Sequence, residues 1–198
     1  MRKVLGAVVL GLLVNVAAAQ VVFNNFAAGS PYYNVGTGWT VGTASGWLPA
    51  NIFKPSASGN LDYIELAVTY VTPAGAKVNV RLWDSAGGVP TTQLEQWLNI
   101  TPLGQFGTEF WPPLKLTSVA KPLLSNANDY AVSVEIVNPG EWSVWNQNNT
   151  GDNGPRAYKT GGGPWTPTSG TRGAMRVVIP EPATLGLLAL SVLALRRR

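Results

Sequence analysis

The C-terminal third of the chain concentrates side chains that could bind a sugar. Tryptophans alternate there with amide and arginine side chains, and the group comprises Trp145, Asn146, Asn148, Arg156 and Trp165. The apolar face of a pyranose stacks on an aromatic ring, and its hydroxyl rim needs hydrogen-bonding partners. The group therefore predicts a glycan-binding surface. The alternative for any one tryptophan is core packing, since large aromatic side chains also fill the interior of a domain.

A run of oxygen-bearing side chains in the same region could hold a cation. Residues 146–154 read NQNNTGDNG, and Ca²⁺ prefers oxygen ligands. The run contains a single carboxylate, Asp152, and lacks the EF-hand spacing. Asx-turns explain the same composition without any ligand. We expect no cofactor, with calcium as the alternative.

The residue types exclude several kinds of catalysis. The chain has no cysteine and no histidine, which rules out Ser-His-Asp and Cys-His catalysis and the common zinc and copper sites. Glu65 and Glu135 lie on predicted outward strand faces and are candidates for the acid pair of a glycoside hydrolase. Ordinary surface charge explains them equally well. We expect no catalytic residue and no enzyme activity.

The net charge of +4 belongs to the ends of the chain. Five of the 14 Lys and Arg residues and one of the ten Asp and Glu residues lie outside residues 20–179, so this body holds nine of each sign. A neutral body gives no reason to expect nucleic acid as a partner.

The body must position these side chains on β-strands. Apolar residues recur at every second position in three segments, and this period is typical of half-buried strands. The segments are 61–71, 77–84 and 129–138. In the second, Val78, Val80 and Leu82 are predicted to face the core. Turn clusters rich in Gly and Pro separate these and several weaker strands, so we predict an all-β fold, a single antiparallel β-sandwich of jelly-roll type. The polar, glycine-rich segment 147–173 is predicted to be a surface loop.

The N-terminus predicts a signal-peptide helix. Arg2 and Lys3 precede the apolar run 4–14, and an A-x-A site follows at Ala17 and Ala19, with Gln20 as the new N-terminus. We therefore assign residues 1–19 to a signal peptide and residues 20–179 to the sandwich. The absence of cysteine means that an exported product has no disulfides, so its stability must come from packing.

The C-terminus carries a second address. Pro180, Glu181 and Pro182 precede a short apolar helix, residues 183–195, of about 20 Å against a hydrocarbon core of about 30 Å. Arg196, Arg197 and Arg198 follow and would stay on the cytoplasmic side. In this order the three parts resemble the PEP-CTERM sorting signal, which we assign to residues 180–198. The resemblance implies export in a Gram-negative bacterium that makes extracellular polysaccharide, and processing at Pro-Glu-Pro by the sorting protease exosortase.

The body also resembles the choice-of-anchor extracellular β-sandwich domains. The likeness lies in residues 78–94 and 129–146, and it implies the fold and an absence of known catalysis. Together these features predict a non-enzymatic protein that is held transiently in the inner membrane and then sorted to the cell surface or the extracellular polysaccharide matrix. There it would have a structural or adhesive role, with a carbohydrate-binding module as the alternative.

Overall fold

The computed structural model describes residues 19–43 and 45–180, which form one compact unit, Ala19–Pro180. Most of the predicted signal peptide, including Ala17, lies outside the described residues. So do Glu181, Pro182, the apolar segment 183–195 and the arginines 196–198.

The described residues form sixteen strands. They are β1 (Ala19–Asn24), β2 (Tyr33–Gly42), β3 (Leu48–Phe53), β4 (Gly59–Asn60), β5 (Tyr63–Leu66), β6 (Val68–Thr72), β7 (Val78–Ala86), β8 (Val89–Ile100), β9 (Leu103–Gln105), β10 (Leu114–Thr117), β11 (Leu123–Leu124), β12 (Asp129–Ile136), β13 (Trp142–Asn148), β14 (Asn153–Lys159), β15 (Thr166–Thr171) and β16 (Met175–Pro180). Within the described part of the chain, no helix is long and apolar enough to cross a membrane.

Two layers of sheet enclose the core. One layer is a six-stranded sheet in the order β15-β14-β3-β12-β7-β8. The other consists of two four-stranded sheets, β2-β13-β6-β9 and β1-β16-β5-β10. Backbone hydrogen bonds among Ala67, Asn146 and Ala174 connect these two sheets. Strand pairs are antiparallel except β6 with β9, which run parallel. The predicted all-β sandwich is confirmed.

Strand β7 shows how alternating apolar residues in the sequence form the core. Its inward residues Val78, Val80 and Leu82 are fully buried, whereas the alternate residues remain partly exposed. The buried residues join Val132 and Trp145 from other strands in a single apolar cluster. Burying apolar surface stabilises the fold by about 25 cal/mol per Å². A shift of the strand pairing by one residue would turn these side chains to the outer face, so the alternation largely determines the register.

Strand β12 departs from simple alternation. Strict alternation along this strand predicts that Ala131 and Ser133 face away from the core, but both are buried. The Trp83 indole lies across them from β7, and its Nε1 donates a hydrogen bond to Ser133 Oγ at 2.9 Å. Trp165 in turn packs edge-on against Trp83, with ring centroids 6.4 Å apart. Aromatic side chains thus cover part of the outer face of the six-stranded sheet.

The prediction that residues 147–173 form a surface loop is wrong. This segment contains β14 and β15, which extend the six-stranded sheet beyond β3. Ala157 of β14 pairs with Ala50 of β3, and both are buried. Pro167 is accommodated because β15 is an edge strand, where a missing N–H need not cost a ladder hydrogen bond.

Candidate functional site

Trp145 is a core residue in this structure. Its side chain is fully buried, and the indole Nε1 donates a hydrogen bond to Ala174 O at 3.0 Å. The ring packs so closely on Gly173 that a Cβ there would lie 2.6 Å from it. The predicted role of Trp145 as a sugar-stacking platform is therefore corrected, because no face of its ring meets solvent.

The two predicted amides are also internal. Asn146 is fully buried, and its Nδ2 donates to the carbonyl oxygens of Asn34 and Val35. Its Oδ1 accepts a hydrogen bond from Thr69 Oγ1 at 2.8 Å. Asn148 is 4% exposed, and its Oδ1 organises the following turn. These hydrogen bonds occupy the amides within the fold, so neither lies on the predicted ligand surface.

The turn after Asn148 is an Asx-type turn. Asn148 Oδ1 accepts hydrogen bonds from the backbone N–H groups of Thr150 at 3.2 Å and Asp152 at 2.9 Å. This is the geometry expected when an amide side chain shapes its own loop. It accounts for the polar composition that suggested a calcium loop.

Asp152 belongs to a partly buried ion pair. Its carboxylate accepts hydrogen bonds from Arg172 Nη2 at 2.6 Å and Nε at 2.8 Å, and from Asn25 Nδ2 at 3.1 Å. Arg172 Nη1 also donates to Ile52 O at 2.9 Å. Burial tends to raise the pKa of Asp152, but the Arg172 and Asn25 hydrogen bonds and the Arg172 charge outweigh it and lower the pKa.

Trp165 and Arg156 lie on opposite faces of the six-stranded sheet. Trp165 packs on Trp83 and lies 5.1 Å from Lys159 Nζ on the outer face. Arg156 and Lys159 are three residues apart in β14, so their side chains project to opposite sides. The five predicted glycan-binding residues thus do not assemble into one surface. Glycan binding by the protein stays a prediction.

Arg156 instead lines a pocket of about 330 Å³ between the two layers. Its lining residues come from the edge strand β2 of one layer and mainly from β3 and β14 of the other. Three aromatic side chains contribute to its wall: Trp39, Trp47 and Tyr158. Aromatic walls with a few polar groups are typical of ligand sites. These three aromatics were not identified from the sequence. Trp39 and Trp47 are far from Arg156 in sequence, and Tyr158 lies in the segment that was predicted to be a loop.

The guanidinium of Arg156 lies over an indole ring. Its Cζ lies 3.5 Å from the ring centroid of Trp39, and Nη2 donates to Ser169 O at 2.8 Å. Trp39 is itself fixed by a hydrogen bond from its Nε1 to Thr171 O at 2.8 Å. Arg156 Nε is buried without a hydrogen-bond partner among the described residues. Burial lowers the pKa of Arg156 because it disfavours the charged form.

The outer part of the pocket is an aromatic pair. Trp47 and Tyr158 have ring centroids 5.0 Å apart with an interplanar angle of 33°. Trp47 is 36% exposed, whereas Arg156 is 7% exposed. A ligand would therefore meet apolar rings first and a positive charge deeper in.

The two ends of the sandwich lie side by side. Strands β1 and β16 pair so that Ala19 is opposite Pro180 and Gln20 is opposite Ile179. The predicted cleavage bond between Ala19 and Gln20 is therefore next to the residue at which the Pro-Glu-Pro segment begins. Pro180 is exposed, whereas Ile179 is fully buried.

Glu65 and Glu135 are each paired with an arginine. Glu65 in β5 accepts a hydrogen bond from Arg176 Nη1 at 3.0 Å, and Glu135 in β12 pairs with Arg81. The two strands belong to different sheets. The carboxylates consequently do not share one site.

Comparison with protein families identifies the tail. A family model described as the PEP-CTERM protein-sorting motif matches residues 178–198. No curated protein and no solved structure matches the chain. The motif supports export, sorting to the cell envelope and processing by an exosortase-type enzyme. The likeness of the body to choice-of-anchor domains stays an interpretation.

Proposed function

We propose that this chain is a non-enzymatic structural or adhesive component of the extracellular polysaccharide layer, made by a Gram-negative bacterium. The observation that carries the proposal is the direct connection of the sorting motif to the sandwich. The matched segment begins at Val178, inside β16, and β16 contributes Val177, Val178 and Ile179 to the buried core. No linker separates the address from the domain that it delivers.

The steps of delivery follow from the two ends. The signal peptide would be removed between Ala19 and Gln20, while the apolar segment 183–195 holds the chain in the inner membrane. The arginines 196–198 would set its orientation. An exosortase-type enzyme would then act at Pro180, Glu181 and Pro182, and the remaining product would be the sandwich.

The absence of enzyme activity is supported by the state of the carboxylates. Glu65, Glu135 and Asp152 each pair with an arginine. Such pairing occupies a carboxylate within the fold, whereas a general acid needs access to substrate. The sequence also has neither histidine nor cysteine.

The test is localisation and intact mass of the full chain in its native host. The informative variants are Glu181→Gln with Pro182→Ala, and Glu at residues 196–198, with Lys at 196–198 as the charge-preserving control. Pro180 stays unchanged because it is the last residue of β16. We expect the variant Glu181→Gln with Pro182→Ala and the variant with Glu at 196–198 to accumulate unprocessed. The variant with Lys at 196–198 should be sorted normally. Unchanged processing in all variants would refute the sorting step.

The role after delivery needs its own test. Deletion of the gene should weaken cohesion of the polysaccharide layer or adhesion of cells, and the full chain should restore it. An unchanged layer in the deletion strain would contradict the structural or adhesive role.

Carbohydrate binding is a second candidate function. It is favoured by the Trp47–Tyr158 pair at the entrance of the pocket. Aromatic rings that remain partly exposed at a pocket offer flat surfaces for the apolar face of a sugar.

A further inference from the structure

We propose that the pocket lined by Trp39, Trp47, Arg156 and Tyr158 binds a carboxylate-bearing sugar, a uronic acid unit of an acidic polysaccharide. This inference rests on the carbohydrate-binding function proposed above, and it adds the ligand class and the residue that selects it.

The first argument is charge. The described residues contain four arginines, and three of them have a carboxylate partner: Arg81 pairs with Glu135, Arg172 with Asp152, and Arg176 with Glu65. Among the described residues, Arg156 forms no salt bridge, and no Asp or Glu lines its pocket. A buried cation without a countercharge is costly. An anionic ligand would supply the missing charge.

The second argument is the shape of the wall. Trp47 and Tyr158 form a tilted aromatic pair on the outer side, and Trp39 lies under the guanidinium. A uronic acid ring has an apolar face that can stack on the outer pair and a carboxylate that can reach the cation. A pocket of about 330 Å³ is at the lower end of the range for ligand sites. It therefore suits a terminal unit or a short stretch of chain.

The third argument is preorganisation. Stacking on Trp39 and the hydrogen bond to Ser169 O fix the plane of the Arg156 guanidinium. Gly170 allows this position, because a Cβ there would lie 2.9 Å from Arg156 Nη2. A side chain held in place before binding loses little entropy when the ligand arrives.

The test is titration calorimetry on the full-length chain, purified in detergent. The probes are trisaccharides of galacturonic, glucuronic and mannuronic acid, each compared with its methyl ester. The esters keep the rings and remove the charge. We expect at least one acid to bind about tenfold or more tightly than its ester, since a charge-assisted hydrogen bond is lost. No binding by any acid, or equal binding by acid and ester, would overturn the proposal.

Variants locate the site. Arg156→Gln and Trp47→Ala should each weaken binding of the acid about tenfold or more. Trp142→Ala is the matched control, because Trp142 is 37% exposed, close to the 36% of Trp47, and does not line the pocket. Circular dichroism checks folding, and Trp47→Ala decides the question if Arg156→Gln fails to fold. Wild-type affinity in Trp47→Ala would overturn the proposed site.

The binding and sorting proposals fail in different ways. Trp47→Ala should be processed and localised like the wild type, because its change lies far from the matched tail in sequence. Inorganic phosphate at the same concentrations should not displace the acid, since it has no ring to stack. Displacement by phosphate would show a general anion site and overturn the assignment to a sugar.

Discussion

Arg156 is buried and Arg172 is largely buried, but the two arginines have different partners. Arg172 contacts a carboxylate through two hydrogen bonds, donates to Ile52 O and lies 4.9 Å from the ring centroid of Phe23. Arg156 has one backbone acceptor and the Trp39 ring. The comparison shows that the fold neutralises one of these arginines with a carboxylate of its own. Among the described residues, it provides no countercharge for the other.

The largest expected effect is loss of the carboxylate at Arg172. Asp152→Asn keeps the volume but leaves a nearly buried guanidinium without countercharge, so the free energy of unfolding should fall by about 2–3 kcal/mol. Chemical denaturation measures it. The control is Asp129→Asn on an exposed residue, which should change stability by less than about 0.5 kcal/mol. Equal effects of the two substitutions would mean that the Asp152–Arg172 pair adds nothing.

Low pH should remove the stabilisation by the Asp152 carboxylate without a mutation. The folded pKa of Asp152 is below its ordinary value, so its stabilisation is complete above the unfolded pKa of about 3.9 and is lost as pH falls through the folded pKa. The stability gap between wild type and Asp152→Asn should therefore narrow below about pH 4. Denaturation at pH 7, 5 and 3 tests this. A constant gap would show that the carboxylate acts only through packing.

A smaller effect is expected when Arg156 is crowded. Gly170 has φ +136°, and Gly170→Ala adds both backbone strain and the contact with Arg156. We expect a loss of about 1–2 kcal/mol, together with weaker uronate binding. Gly162→Ala is the control, since Gly162 has φ +78° but open space around it. Retained uronate affinity in Gly170→Ala would show that Arg156 does not need its observed position.

The smallest stability effect is expected at Arg156 itself. Arg156→Met should lie within about 1 kcal/mol of wild type, because removal of an unpaired buried charge offsets the lost Ser169 hydrogen bond. Arg172→Met should lose about 2–3 kcal/mol under the same conditions. If both variants were equally unstable, Arg156 would be a structural residue and the contrast would disappear.

Local patterns predicted the strands whose two faces differ. In β7 the alternation of Val78, Val80 and Leu82 with polar residues suffices, because one face meets the core and the other does not. The spacing of Trp142 and Trp145 likewise places them on opposite faces. It does not say that Trp145 is the inward one, since that depends on which sheet packs against β13.

Distant partners explain what sequence reasoning missed. Strand β14 carries glycine and proline, and its register is set by pairing with β3, about 105 residues earlier in the chain. The pocket combines Trp39 and Trp47 with Arg156 across the two layers. Of the five residues predicted to bind a glycan, Arg156 alone lines this pocket. Trp145, Asn146 and Asn148 are buried elsewhere in the fold, and Trp165 lies on the outer face of the sheet.

The pairing of the chain ends has a mechanical consequence. A protein that is held through Pro180 receives any pull at the end of β16, which is hydrogen-bonded to β1 on one side and to β5 on the other. Traction along the axis of β16 would load the hydrogen bonds on both flanks together, whereas an edge strand can be peeled away one bond at a time. A domain that is tethered in flowing liquid would thus resist extraction at the point where the force enters.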